Sequence, residues 1–159
     1  PDIRSMDELS ATNLEKYRAV YLLNVPTMDK NAARLLTSYV EAGGGLAVFL
    51  GDQTDIENFN ELLYAGGKGL MAAALTGRRS TAEAKGNVPA EVDFRPENHP
   101  IYRIFAGQRN SFLDTIAIRE IIAVDDQKMS PSAKVIARTG QGEPLVLENQ
   151  FGRGRTILT

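Results

Sequence analysis

The chain has 159 residues, 43% hydrophobic and 24% charged, with a formal net charge of -2. That is the composition of an ordinary globular protein, long enough for one domain with a sizeable core. It has no cysteine and one histidine, His99, which excludes disulfides, cysteine nucleophiles and thiolate metal sites. The weak negative charge leaves no electrostatic footprint for nucleic acid, Arg78-Arg79 being too short a basic run. No apolar stretch approaches the ~18 residues of a membrane span, and no signal peptide is recognisable.

The sequence begins at Pro1 and stops at Thr159 within a strand-like pattern, so it reads as a domain excised from a longer protein. Asp2-Ile3-Arg4 is a short strand candidate, and Ser10-Ala11-Thr12-Asn13-Leu14 reads as a turn or a single helical turn. The informative stretch runs from Tyr17 to Asp52. Ala19-Val20-Tyr21-Leu22-Leu23 and Leu46-Ala47-Val48-Phe49-Leu50 are continuous apolar runs, the pattern of central strands covered on both faces of a parallel sheet. Between them Ala32, Leu35, Leu36, Tyr39 and Val40 share one helical face. Thr27 or Asp29 can cap the start and Gly43 the end. Strand, crossover helix and strand predict a right-handed βαβ unit.

Ligands of open α/β sheets bind beyond the carboxyl ends of the strands. Here those ends are Asn24-Val25-Pro26-Thr27 and Gly51-Asp52-Gln53-Thr54-Asp55. The ligand-binding candidates are therefore Asn24, Gly51, Asp52, Gln53, Asp55 and Asn58.

After Asp52, the residues Ile56, Phe59, Leu62 and Leu63 fall at helical spacing; Tyr64-Ala65-Gly66-Gly67-Lys68-Gly69 ends that pattern, and Leu70 to Leu75 reads as a short apolar helical turn. The glycine cluster lacks the spacing of a phosphate loop. Thr76 to Pro96 is polar and irregular, a surface excursion with Val92-Asp93-Phe94 as a short strand candidate inside it. A second loop candidate is Gly107-Gln108-Arg109-Asn110-Ser111-Phe112-Leu113. The last third is β-rich at Ile116 to Val124 and Ala133 to Arg138. Gly140-Gln141-Gly142 and Phe151-Gly152-Arg153-Gly154-Arg155 then serve as hairpin turns of an antiparallel meander.

Several features together resemble the class I glutamine amidotransferase-like superfamily: Asn-Val-Pro after the first strand, Tyr-Val-Glu-Ala-Gly-Gly-Gly after the helix, Phe-Leu-Gly-Asp after the second strand, His-Pro-Ile, and the late Phe-Gly-Arg-Gly-Arg turn. The chain is most similar to branches that are not amidotransferases: trehalose-utilisation-type domains, the β-galactosidase trimerisation domain, and domains of bacterial membrane-anchored proteins that carry a von Willebrand factor A module. The resemblance implies an α/β fold, a flavodoxin-like three-layer parallel sheet with an antiparallel C-terminal β extension, as a single amidotransferase-like domain over residues 1–159. Similarity to the membrane-anchored group would place the domain outside the cytoplasmic membrane.

True amidotransferases carry a nucleophilic cysteine on a strand elbow and a later His-x-Glu pair. The matching elbow here is Leu50-Gly51-Asp52-Gln53, and Pro100-Ile101 follows His99. Glutamine hydrolysis by a cysteine–histidine route is excluded.

Asp52, Asp55, Glu57 and Asn58 could offer oxygen ligands to a hard cation, but the calcium-loop spacing is absent. Capping of the next helix by Asp52 and Asp55 is the expectation. The catalytic candidates are Asp52 and His99 as acid and base. Against that stands a loop histidine fixed by Pro100, with Glu97 and Asn98 as its nearest partners. Asn60 and Glu61 are further candidates for the same cleft. Gly152 and Gly154 read as turn devices, with Arg153 and Arg155 solvated.

The expected role is a non-catalytic protein-interaction or ligand-sensing module, whose partner is another protein or the rest of the parent chain. A small-molecule ligand is allowed for; no cofactor, metal or nucleic acid is expected. The alternatives are a hydrolase or isomerase on a small carbohydrate-like substrate, as the trehalose-utilisation-type branch implies, and an oligomerisation domain.

Overall fold

The computed structural model describes residues 1–80, 94–105, 113, 116 and 118–159. In chain order the elements are β1 (Ala19–Leu23), α1 (Lys30–Glu41), β2 (Gly45–Phe49), a short α2 (Ile56–Phe59), β3 (Ala73–Ser80), β4 (Phe94–Pro96), β5 (Glu120–Met129), β6 (Lys134–Thr139), β7 (Pro144–Phe151) and β8 (Gly154–Leu158). Single 3-10 turns lie at Met6–Ala11, Leu14–Lys16, Ala65–Gly67 and Pro100–Phe105, and α2 runs on as a π-type turn over Asn60–Tyr64.

The strand–helix–strand unit forms as its residues dictate. Asp29 accepts the Ala32 amide at 2.7 Å and caps α1. At the other end Gly43, with φ 114°, lets its own amide reach Val40 O and the Gly44 amide reach Tyr39 O, closing the helix as a Schellman turn. The chain then reverses into β2, which pairs parallel with β1 from Ala19↔Gly45 to Leu23↔Phe49. Buried Leu36, Tyr39 and Val40 anchor α1 on the sheet.

The six-stranded sheet has the order β1-β2-β8-β7-β6-β4. The pairs β1–β2 and β2–β8 are parallel, whereas β8–β7, β7–β6 and β6–β4 are antiparallel. The C-terminal meander is thus continuous with the parallel part. Strands β3 and β5 form a separate two-stranded antiparallel sheet. The fold is mixed α/β with little helix, rather than a purely parallel sheet.

Several expectations need correction. β1 is an edge strand, not a central one, and one of its faces is open: Tyr21 is 62% and Leu23 66% exposed. A five-residue apolar run does not distinguish one-sided from two-sided burial, which is why both strands read as central. Among the described residues no α-helix covers that second face, so the three-layer flavodoxin-like arrangement is not seen. Asp2-Ile3-Arg4 has no regular structure, and Ile3 is 97% exposed. Leu70 to Leu75 is not helical; it is an irregular buried stretch entering β3. Thr76 to Ser80, expected to be irregular, belongs to β3, and Phe94 opens β4. The rest of that excursion, residues 81–93, lies outside the described residues, as does nearly all of the Gly107 loop. The strand expected from Ile116 starts at Glu120 and pairs with β3, while β6, β7 and β8 form the meander as expected.

The main core lies on one face of the large sheet. Leu22, Leu46, Val48, Leu147 and Leu158 pack there against α1, Phe59, Leu63 and the buried Leu70-Met71-Ala72-Ala73 segment. That segment lacks strand partners at its start, so side chains from the large sheet and from Ser130, just after β5, satisfy it. Thr156 Oγ1 donates to Leu70 O at 2.6 Å, Asn149 Nδ2 donates to the same oxygen at 3.3 Å, and Ser130 Oγ donates to Met71 O at 3.2 Å. Gly154 is in close contact with the carbonyls of Val40 and Gly44, so a Cβ there would collide with backbone. A smaller cluster on the other face joins Ile136, Ala137 and Val146 to Phe94, Tyr102 and Ile157.

Replacing Thr156 by the isosteric Val keeps the volume and removes the shorter donor to the Leu70 carbonyl. The expected loss is about 1–2 kcal/mol of unfolding free energy, read as a lower urea midpoint with an unchanged slope. An unchanged midpoint would mean that Asn149 alone satisfies this carbonyl.

Candidate functional site

The loops beyond β1 and β2 hold the expected ligand-binding residues, and these residues bind mainly to one another. Asn24 sits in the left-handed region at φ 49°, with its amide on Phe49 O at 2.9 Å. Its Nδ2 donates to Asp52 Oδ1 at 2.7 Å, and its Oδ1 accepts the Gln53 amide at 3.1 Å. The Asn24 side chain fills the space where a Cβ on Gly51 would stand, which is why glycine is needed there. The Gly51 amide donates to Oγ1 of buried Thr54 at 3.0 Å.

Arg78, on β3, reaches over from the second sheet. Its Nη2 donates to Asp52 O at 2.9 Å, Thr54 O at 2.8 Å and Gly51 O at 3.3 Å. Asp55 accepts the Asn58 amide at 3.0 Å and so caps α2. Asn58 in turn brackets Met28, accepting its amide and donating to its carbonyl, each at 3.0 Å. Asp52 does not cap α2 as expected; its carboxylate takes the Asn24 amide instead. Asn58 also borders an open groove of about 600 Å³ between the Met6–Ala11 turn and the start of α1, where Asp7, Thr27 and Asp29 face it.

His99 lies elsewhere, over the second face of the sheet. Its Nε2 is 3.5 Å from Glu148 Oε2, and the Ile101 amide donates to Nδ1 at 3.4 Å. Glu148 Oε1 accepts from Arg155 Nη1 at 3.1 Å. The side chains of His99 and Glu148 are 17% and 13% exposed, and the Tyr102 ring meets the imidazole edge-on at 6.5 Å. Burial pushes the Tyr102 phenol pKa up. Glu97 pairs with Arg138 at 3.2 Å instead of with His99.

Asp52 and His99 therefore have separate partners, and the structure does not bring them together. Asn60 does not face a cleft: its amide clamps the Leu75 backbone with two 2.8 Å bonds, and Glu61 pairs with Lys30 at 3.7 Å. Arg153 and Arg155, expected to be solvated, are exposed but bonded, Arg153 to Ala42 O at 2.9 Å and Arg155 to Glu148. No group of three or more metal-ligating side chains occurs among the described residues.

Sequence reasoning missed two features. One is Glu148 as the partner of His99. Its signal was an acid closing the apolar run Pro144-Leu145-Val146-Leu147, on the face opposite Leu147. The other is the open apolar patch of Tyr21, Leu23 and Phe49, in which the Tyr21 and Phe49 rings stack at 6.2 Å.

Asn24→Gly and Asn24→Ala separate the two roles of this side chain. Both lose the Asp52 and Gln53 bonds, but only Ala must also hold a left-handed conformation. Thermal or urea unfolding is expected to rank wild type above Gly and Gly above Ala, the last step by about 1 kcal/mol. Equal stability of the two variants would remove the backbone argument.

No family model matches this sequence, and neither does any curated protein. Solved structures do match, at the level of fold. The β-galactosidase of Bacillus circulans sp. alkalophilus is similar with a TM-score of 0.60 and 15% identity, over 94% of this chain and 21% of that one. Exo-beta-1,4-mannosidase Op5Man5 of Opitutaceae bacterium strain TAV5 gives 0.53 and 16%, over 93% and 21%. Cytoplasmic Protein STM3548 of Salmonella typhimurium gives 0.60 and 14%, over 99% and 63%. The chain thus spans about a fifth of the two glycosidases and under two thirds of the Salmonella protein.

Proposed function

We propose that this chain is a non-catalytic domain of the amidotransferase-like kind, an interaction module that docks through the open face of β1 and β2 onto the remainder of a larger protein. The observation that carries the reading is the apolar patch on that face. Tyr21, Leu23 and Phe49 are 62%, 66% and 41% exposed, and the two rings are already stacked. Together they leave on the order of 300 Å² of side-chain surface in water, a contiguous apolar patch of the kind that marks contact sites.

The size of the patch narrows the partner. A free-standing complex of standard size buries roughly 800 Å² on each side, well above what these residues supply. Contacts between domains of one chain are smaller and more polar, so the face suits a tethered neighbour better than the separate oligomerisation role. Further support comes from the missing cysteine and from Asp52 and His99 taking separate partners, which leaves the acid–base alternative without a shared centre. The likeness to large glycosidases, in which this fold occupies a fifth of the chain, fits an accessory role.

Hydroxyl-radical footprinting of the isolated chain and of the full-length natural polypeptide tests this directly. Tyr21, Leu23 and Phe49 are expected to label strongly in the isolated chain and to be protected in the longer one. Equal labelling in both would sink the proposal. Leu23→Lys should leave the stability of the isolated chain within about 0.5 kcal/mol, since the side chain faces water, yet restore labelling of Tyr21 in the full-length protein.

A further inference from the structure

The polar half of the same sheet face carries a second site. Where β6, β7 and β8 run side by side, a cleft of about 410 Å³ opens beneath the His99 turn. That volume lies in the range of small-molecule sites. Asn98, His99, Lys134, Glu148 and Gln150 line it, and buried Ile136 contributes apolar wall. Lys134, Glu148 and Ile157 form one cross-strand row, so the ammonium and the carboxylate project from the same face.

The bonding within the cleft sets its chemistry. The Ile101 amide occupies the lone pair of His99 Nδ1, so the neutral imidazole carries its proton on Nε2, towards Glu148. Glu148 accepts from Arg155 on Oε1, and its Oε2 lies 3.5 Å from His99 Nε2. Each oxygen of a carboxylate accepts two hydrogen bonds, so each has a further acceptor position. Around it Lys134 makes no ion pair among the described residues, and the Asn98 and Gln150 amides are exposed with no hydrogen-bond partner there.

The lining charges cancel: Glu97 and Glu148 oppose Lys134 and Arg155. A cationic ligand would have to compete with Arg155 for Glu148, and an anionic one reaching Lys134 would meet the Glu148 carboxylate in the same cross-strand row. A ligand whose groups both donate to a fixed carboxylate and accept from an ammonium and two amides needs no net charge, and hydroxyl groups do both.

We propose that this cleft binds a small, neutral, multiply hydroxylated ligand of the sugar or polyol class. Vicinal hydroxyls donate to the open positions of Glu148 and accept from Lys134, Asn98 and Gln150, with the aliphatic face of the ligand against Ile136. The site is separate from the Tyr21–Phe49 patch and stands or falls without it.

Amide and imidazole chemical shifts of the chain, titrated at neutral pH with glucose, galactose, mannose and glycerol and, as charged controls, with phosphate and acetate, provide the test. Saturable shifts with at least one neutral polyol are expected, confined to residues near His99, Lys134 and Gln150. Glu148→Gln should weaken that binding about tenfold, the loss of a hydrogen bond to a charged group. Since Glu148 also holds Arg155, Asn98→Ala with Gln150→Ala provides a second variant at exposed positions, expected to weaken binding while the rest of the spectrum stays unchanged. Absence of shifts with every polyol at large molar excess overturns the proposal. So does binding of phosphate or acetate alone, which would make this an anion site built on Lys134 and Arg155.

Discussion

The architecture depends on satisfying a stretch of buried backbone that has no strand partner where it enters the core. Leu70, Met71 and Ala72 are each 1% exposed. A carbonyl placed there without a donor would cost about 1–3 kcal/mol. The sheet supplies the donors from Thr156 and Asn149, themselves 3% and 1% exposed, and Ser130 supplies another. Because Asn149 and Thr156 project from β7 and β8, the irregular segment can pass under the meander only in this register. A one-residue slip of either strand would turn the donors to the opposite face. That constraint ties the β3–β5 sheet to the large sheet and brings Arg78 across to the loops beyond β2.

Local rules made the strand–helix–strand unit legible. The span of β1, the face of α1, the Asp29 cap and the Gly43 stop all follow from neighbouring residues, and the hairpin turns at Gly142 and Gly152 follow from glycine at positive φ. What stayed hidden depends on residues far apart in sequence. The run from Leu70 to Leu75 looks helical because an apolar stretch of six has no period to read, and pairing with β5 makes its second half a strand. The edge position of β1 is likewise a property of the whole sheet, not of Ala-Val-Tyr-Leu-Leu.

Of the candidate site, the loops were legible and their chemistry was not. Placing Asn24, Gly51, Asp52, Gln53, Asp55 and Asn58 beyond the strand ends needs only the βαβ rule. That Asn24 would join the two loops, and that Arg78 would occupy three of their carbonyls, needs the fold. These contacts already occupy several of the polar groups there, and they hold Asp52 against Asn24 rather than His99. His99 was visible as the sole histidine, but its partner Glu148 is 49 positions away, on a strand whose facing depends on the meander register.

The two faces of the large sheet therefore do different work. One is filled by α1 and the β3–β5 sheet and carries the stability. The other is divided along its own rows: Tyr21, Ala47 and Ile157 are paired in register on the β1 side, and the row continues through Glu148 to Lys134 on the β6 side. An apolar stretch and a charge-balanced polar stretch share one continuous surface, separated by a single strand. The main core lies on the opposite side, and on this row only Ile157 packs into the smaller cluster of Ile136, Ala137 and Val146. The parallel-to-antiparallel switch at β8 places the apolar and polar halves side by side, so the proposed docking face and the proposed ligand cleft do not overlap.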